Sequence, residues 1–130
     1  MNYKLIIYCL FIFSQVLYGQ NVLYQPIISF MNTTYLDEKI STIKLNNVKE
    51  LTFLNDTTGL FKILKFNFLY YPYAGKIVEI ENFDFKINDI TSLFLYNSKP
   101  RDVFCFANII VVNNVNRIIE YPTMCYIITD

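Results

Sequence analysis

Asp102-Val-Phe-Cys-Phe-Ala-Asn-Ile-Ile-Val-Val112 is followed by Asn113-Asn-Val-Asn116 and then by Arg117-Ile-Ile-Glu-Tyr-Pro-Thr-Met-Cys-Tyr-Ile-Ile-Thr129. The flanking stretches are rich in β-branched and aromatic residues, which suit a pleated, half-buried surface. The asparagines between them favour a turn, because asparagine tolerates left-handed backbone and bonds to its own neighbours. A hairpin folded about Val115 sets Val112 opposite Ile118 and Cys105 opposite Cys125. Directly opposed residues of an antiparallel pair meet disulfide distances. The chain has three cysteines; Cys9 lies in an N-terminal segment that is expected to be cleaved off on export. The remaining pair is expected to form a Cys105–Cys125 disulfide, with two buried free thiols as the alternative.

Upstream, the same grammar repeats. Phe83-Asp-Phe-Lys-Ile-Asn88 alternates, and predicts Phe83, Phe85 and Ile87 inward with Asp84, Lys86 and Asn88 in water. After Asn88-Asp89, Ser92 to Tyr96 reads as a further strand, ended by Asn97-Ser-Lys-Pro100. Val48 to Leu54 reads as a strand and Asn55 to Gly59 as a turn. Leu60 to Tyr71 is a long aromatic strand whose alternation breaks, which predicts a bend or bulge. Pro72 to Gly75 turns again, and Lys76 to Glu81 is a short strand. Val22 to Phe30 is the first strand of the folded part, with Pro26 marking an edge or a break. Thr34 to Leu45 reads as a short helix, with Thr34 and Asp37 at capping spacing and Leu36, Ile40 and Ile43 on one face; a strand there is the alternative.

The N-terminus reads differently. Met1-Asn2-Tyr3-Lys4 is short and singly positive, Leu5 to Phe13 carries no charge, and small Gly19 precedes Gln20-Asn21. That is the layout of a secretory signal peptide over residues 1–19. A membrane-spanning helix needs about 20 apolar residues, and Leu5 to Leu17 supplies about 13, diluted by Ser14 and Gln15. Cys9 lies mid-segment behind bulky Tyr8, which disfavours a lipoprotein. Residues 20–130 are then expected to form one exported domain in the periplasm, on the surface or outside the cell.

Composition excludes several activities. The sequence is 54% hydrophobic and 18% aromatic, with only three glycines and four prolines, so disorder and low-complexity linkers are not expected. Eleven basic and eleven acidic residues balance, and the bases are scattered singly from Lys39 to Arg117. No basic footprint for nucleic acid is legible, and docking to a membrane after signal cleavage is not expected either. There is no histidine and no tryptophan. Without histidine, Ser-His-Asp and Cys-His nucleophile systems are excluded, along with the usual zinc ligation. No phosphate-binding loop, cofactor motif or catalytic constellation is readable, so no enzyme, metal or cofactor is expected.

Two features remain. Glu79, Glu81 and Asp84 are close in sequence, but same-strand acids are more often the solvated face of a sheet than a catalytic or calcium site. Phenylalanines 30, 53, 61, 66, 68, 83, 85, 94, 104 and 106 either line an apolar cavity or fill a core that has no tryptophan. Lys62 and Lys65 beside Phe66 and Phe68 resemble a stacking platform only superficially, given the neutral charge.

Leu51-Thr-Phe-Leu-Asn-Asp-Thr-Thr-Gly59, with Phe83-Asp-Phe-Lys-Ile87 and Leu93-Phe-Leu95, resembles small exported lipocalin-like (calycin-type) domains of bacteria. The resemblance covers about a third of the chain; the tryptophans often seen in that group are missing, and the cysteine hairpin is not part of its pattern. It implies an eight-stranded up-and-down barrel with room for a small apolar ligand, and it carries over no binding residue. The residues alone lead to an all-β fold of about eight strands. A single antiparallel meander barrel is expected, with a two-sheet β-sandwich as the alternative. The expected function is non-enzymatic: either binding of a small apolar ligand, or interaction with a protein partner through the surface of a domain whose core is filled.

Overall fold

A computed structural model describes residues 26–31, 39–42, 45, 48–54, 56 and 59–130. The signal segment and residues 32–38 lie outside them, so the expected helix start at Thr34 does too. The elements run β1 (Ile27–Ser29), β2 (Lys39–Ser41), β3 (Thr52–Leu54), β4 (Lys62–Tyr71), β5 (Val78–Phe83), α1 (Asp89–Tyr96), β6 (Val103–Val112), β7 (Ile118–Tyr121) and β8 (Met124–Thr129). Among the described residues the chain is all-β with one short helix.

β1 and β3 pair antiparallel as a two-stranded sheet. The larger sheet has the order β2-β8-β6-β4-β5, with β7 also on β6. Neither sheet closes on itself among the described residues. The larger sheet is not a pure meander, because β2 runs parallel to β8.

The C-terminal hairpin has the expected register. Val112 faces Ile118 and Cys105 faces Cys125, so β7 and β8 are one ribbon interrupted at Pro122-Thr123. Asn113 builds the turn: its Oδ1 accepts from the backbone N–H groups of Val115 and Arg117. The two cysteines form a disulfide with a Cα–Cα separation of 4.1 Å.

The expected break in β4 is present and is one of a row. Inward side chains follow Ile63, Phe66, Phe68 and Tyr70 on β4, and Phe104, Phe106, Ile109 and Val111 on β6. On β5 and its extension, Asn82 is followed inward by Phe85 and Ile87; on the β7–β8 ribbon, Tyr121 is followed by Met124. Each line takes one step of three residues where alternation requires two. The register shifts across Ile63, Lys65 and Asn67, Asp84 and Asn108 adopt φ of 60° and 49°, and Pro122 has no N–H to give to β6. Cross-strand pairing places these irregularities at one level. Bulges bend their strands, and aligned ones crease the whole sheet around the core.

This crease corrects the alternation expected for Phe83 to Asn88. Phe83 is 69% exposed, whereas Phe85 is half-buried and Ile87 buried. The left-handed Asp84, whose N–H donates to the Leu64 carbonyl, inserts the extra step that turns Phe83 outward.

Two further expectations are overturned. Ser92 to Tyr96 is helical. Asn88 is not mere punctuation but the N-cap, its Oδ1 accepting from the Thr91 N–H at 2.8 Å, while Thr91 and Leu95 bury one face. Conversely, Lys39–Ser41, expected inside a helix at 34–45, is strand β2. Its Ile40 is buried beside Ile128, so pairing with β8 overrode a weak helical periodicity.

Candidate functional site

The interior comes first, because an apolar ligand would need space there. Phe66, Phe68, Phe104 and Phe106 project inward from β4 and β6, Tyr126 from β8 and Phe30 from the end of β1, and none has exposed surface. Their rings touch one another. Phe30 lies 5.6 Å from Phe104 and 4.7 Å from Phe106, Phe66 lies 5.6 Å from Phe106, and Phe104 lies 5.3 Å from Tyr126. These are ordinary aromatic contact distances, so these side chains fill the space between β1 and the large sheet. Burial of Phe66 and Phe68 also separates them from Lys62 and Lys65, which lie on the opposite face. The stacking platform does not exist.

The outer face of the large sheet carries an open cleft of about 560 Å³ lined by Lys65, Asn67, Glu79, Glu81, Asn108, Ile110 and Glu120. Strand alternation puts Glu79 and Glu81 on this face. Asn67 Nδ2 donates to Glu79 Oε1 at 3.0 Å, and Lys65 Nζ lies 3.6 Å from Glu81 Oε1 with both side chains half-exposed. Glu120, on β7, joins them only through tertiary structure, and Asp84 does not line the cleft. Among the described residues no group of His, Cys, Asp or Glu could hold a metal ion. The cleft can offer carboxylates to a solvent-borne cation or a polar group.

A buried carboxylate lies elsewhere, at the end where β4 leaves the sheet. Asp102 is 6% exposed. Its Oδ1 accepts from the Tyr73 N–H at 2.8 Å and its Oδ2 from the Lys99 N–H at 2.9 Å. The Tyr70 hydroxyl also donates to Oδ2. Desolvation pushes the Asp102 carboxyl up, but these three hydrogen bonds and the Lys99 charge outweigh it and hold it below the ordinary aspartate range. Tyr70 is pushed well above its usual value by burial, and then by the hydrogen bond to Asp102 and its charge. The pair therefore stays as tyrosine hydroxyl and carboxylate at neutral pH. It is a knot that ties the β4–β5 turn to the α1–β6 loop. The Tyr121 phenol, pushed up to about 12 by burial and by the charge of Asp56, is likewise structural: it donates to the Pro26 carbonyl at 2.7 Å.

Nothing in the sequence signalled Asp102 or Glu120 as partners of these groups, because both act across strands. No helix among the described residues is long and apolar enough to cross a membrane. A comparison with protein-family models finds no match for the chain, and neither does a comparison with curated proteins.

Proposed function

We propose that the protein is an exported, non-enzymatic interaction module that works through its surface, with a filled interior and no small ligand. The carrying observation is the aromatic cluster of Phe30, Phe66, Phe68, Phe104, Phe106 and Tyr126, whose rings occupy the space an apolar ligand would need. The same cluster favours a sandwich-like arrangement over a hollow barrel. Phe30, at the end of the β1–β3 layer, packs against β6 and β8 of the large sheet. Export is supported by the signal-like pattern of residues 1–19 and by the Cys105–Cys125 bond, which persists in oxidising compartments. A role without catalysis is supported by the absence of histidine from the sequence and by the structural use of Asp102, the one carboxylate buried among the described residues.

Titration with a fluorescent fatty-acid analogue tests this reading. No stoichiometric binding is expected at micromolar probe. Saturable one-to-one binding, displaced by unlabelled fatty acid, would instead establish a ligand carrier. Intact mass of the protein recovered from the periplasm or medium of an expressing host should lack residues 1–19; a full-length mass there would refute cleavage.

A further inference from the structure

Large apolar side chains stand in water at the end of the molecule that Asp102 ties together. Tyr73 is 71% exposed, Ile77 65%, Leu93 60% and Tyr96 64%. They come from separate stretches of sequence, but the fold brings them to one end. Thr91 bonds to Asn82 and Phe94 packs on Tyr70 at 5.3 Å, while Tyr70 pairs with Val78. Hence α1 runs back along β5, and its C-terminus arrives beside the β4–β5 turn that holds Tyr73 and Ile77. On α1, Ile90, Leu93 and Tyr96 recur every third residue and are all exposed, so the helix turns an apolar stripe outward.

The same end gathers cations that are far apart in sequence. Asp102 holds the backbones of Tyr73 and Lys99 on its two oxygens. The Arg101 guanidinium lies 5.4 Å from the centre of the Tyr73 ring. Lys76 follows in the β4–β5 turn. The Lys76, Lys99 and Arg101 side chains are exposed. The three cations outnumber the acids here: Asp102, which the Lys99 charge reaches, is turned inward and spent on its hydrogen bonds, Asp89 lies at the far end of α1, and Asp130 stands at this end, two residues beyond Ile128, whose carbonyl accepts from the Arg101 N–H.

Exposed apolar patches of this kind mark protein or membrane contacts. Lysine is depleted from protein–protein interfaces. Tyrosine and aliphatic side chains rimmed by lysine and arginine match the boundary of an anionic bilayer, where rings settle among headgroups and the cations meet lipid phosphates. We infer that the tip formed by Tyr73, Ile77, Leu93 and Tyr96 with Lys76, Lys99 and Arg101 docks the protein onto an anionic lipid surface. This rests on the reading of the protein as a surface-acting module, and it departs from the expectation drawn from scattered bases because only folding gathers them.

The test is co-sedimentation of the exported protein with vesicles of pure phosphatidylcholine and of phosphatidylcholine containing phosphatidylglycerol, at low and high salt. Binding is expected to the anionic vesicles only, and to fall as salt screens the charges. Near an anionic surface each cation contributes about fivefold to binding, so Lys99→Glu with Arg101→Glu should weaken it at least about tenfold. Tyr73→Ser with Leu93→Ser should weaken it independently. An unchanged thermal midpoint in both double variants shows that the fold survives, since these side chains are exposed. No sedimentation with anionic vesicles, or equal sedimentation of wild type and the charge-reversed variant, overturns the inference. So does equally tight binding to soluble polyglutamate, which would assign the tip to an acidic protein. Failure here leaves the filled interior standing, because the fatty-acid titration reads that separately. If residues 1–19 are retained, the comparison of variants alone decides.

Discussion

The Tyr70 hydroxyl donates to the buried carboxylate of Asp102, and through that carboxylate strand β4 and the turn that follows it are tied to the α1–β6 loop, which is remote from them in sequence. The pairing has a definite pH signature. The folded-state pKa of Asp102 is depressed, so its contribution to stability is complete above the ordinary aspartate pKa of about 3.9 and is lost as pH falls through the folded value. In that window the unfolded chain binds the extra proton. Asp102→Asn should cost about 3 kcal/mol at neutral pH, because a charged acceptor of several hydrogen bonds is removed. Thermal midpoints of the two proteins should converge as pH drops below about 4. A constant gap down to the lowest pH would show that the ionised carboxylate is not the source.

The Cys105–Cys125 bond closes a loop of 20 residues in sequence separation. Its removal in a Cys105→Ser/Cys125→Ser variant should cost about 3 kcal/mol in urea unfolding, mainly through the greater freedom of the unfolded chain. Its role is structural, since neither cysteine belongs to a Cys-x-x-Cys motif. Non-reducing peptide mapping should recover the two cysteine peptides joined. Two free thiols in exported protein would contradict this.

The crease makes a backbone prediction. Asn108 and Asp84 hold φ of 49° and 60°, a region where asparagine and aspartate are tolerated and β-branched residues are not. Asn108→Gly and Asp84→Gly should be near neutral. Asn108→Val and Asp84→Val should each cost about 1–3 kcal/mol in denaturant titration. Equal stability of the glycine and valine variants would mean that these positions can return to regular strand.

Ser29 is completely buried, and among the described residues its Oγ has no hydrogen-bond partner. A buried hydroxyl without a partner costs free energy that the unfolded chain recovers from water. Ser29→Ala should therefore raise the unfolding free energy by about 1 kcal/mol. A loss of stability on this change would show that the hydroxyl has a role in the fold.

Helix α1 depends on its cap. Asn88→Ala removes the acceptor of the Thr91 N–H and should cost about 1 kcal/mol. The same variant should increase hydrogen exchange at the Thr91 amide. Unchanged protection there would place the stabilisation of the helix entirely in its packing on β5.

The amino-acid sequence by itself determined what short-range chemistry can determine. Opposed strands around an asparagine turn fix one hairpin register, so Val112 with Ile118 and Cys105 with Cys125 were legible from spacing alone. The broken alternation of β4 was legible for the same reason. Local signals misled where long-range contacts competed. Ile40 could serve a helix or a strand until Ile128 lay beside it, and Ser92 to Tyr96 had strand-forming residues but an Asn88 cap and a buried i, i+4 pair at Thr91 and Leu95. Phe83 followed a clean alternation, yet a left-handed Asp84 turned it outward. Only the tertiary structure decided what the surface presents. Glu120 meets Glu79 and Glu81, and Lys99 and Arg101 meet Tyr73, across strands that the sequence separates, because side-chain neighbours in a sheet are set by pairing and burial and not by distance along the chain.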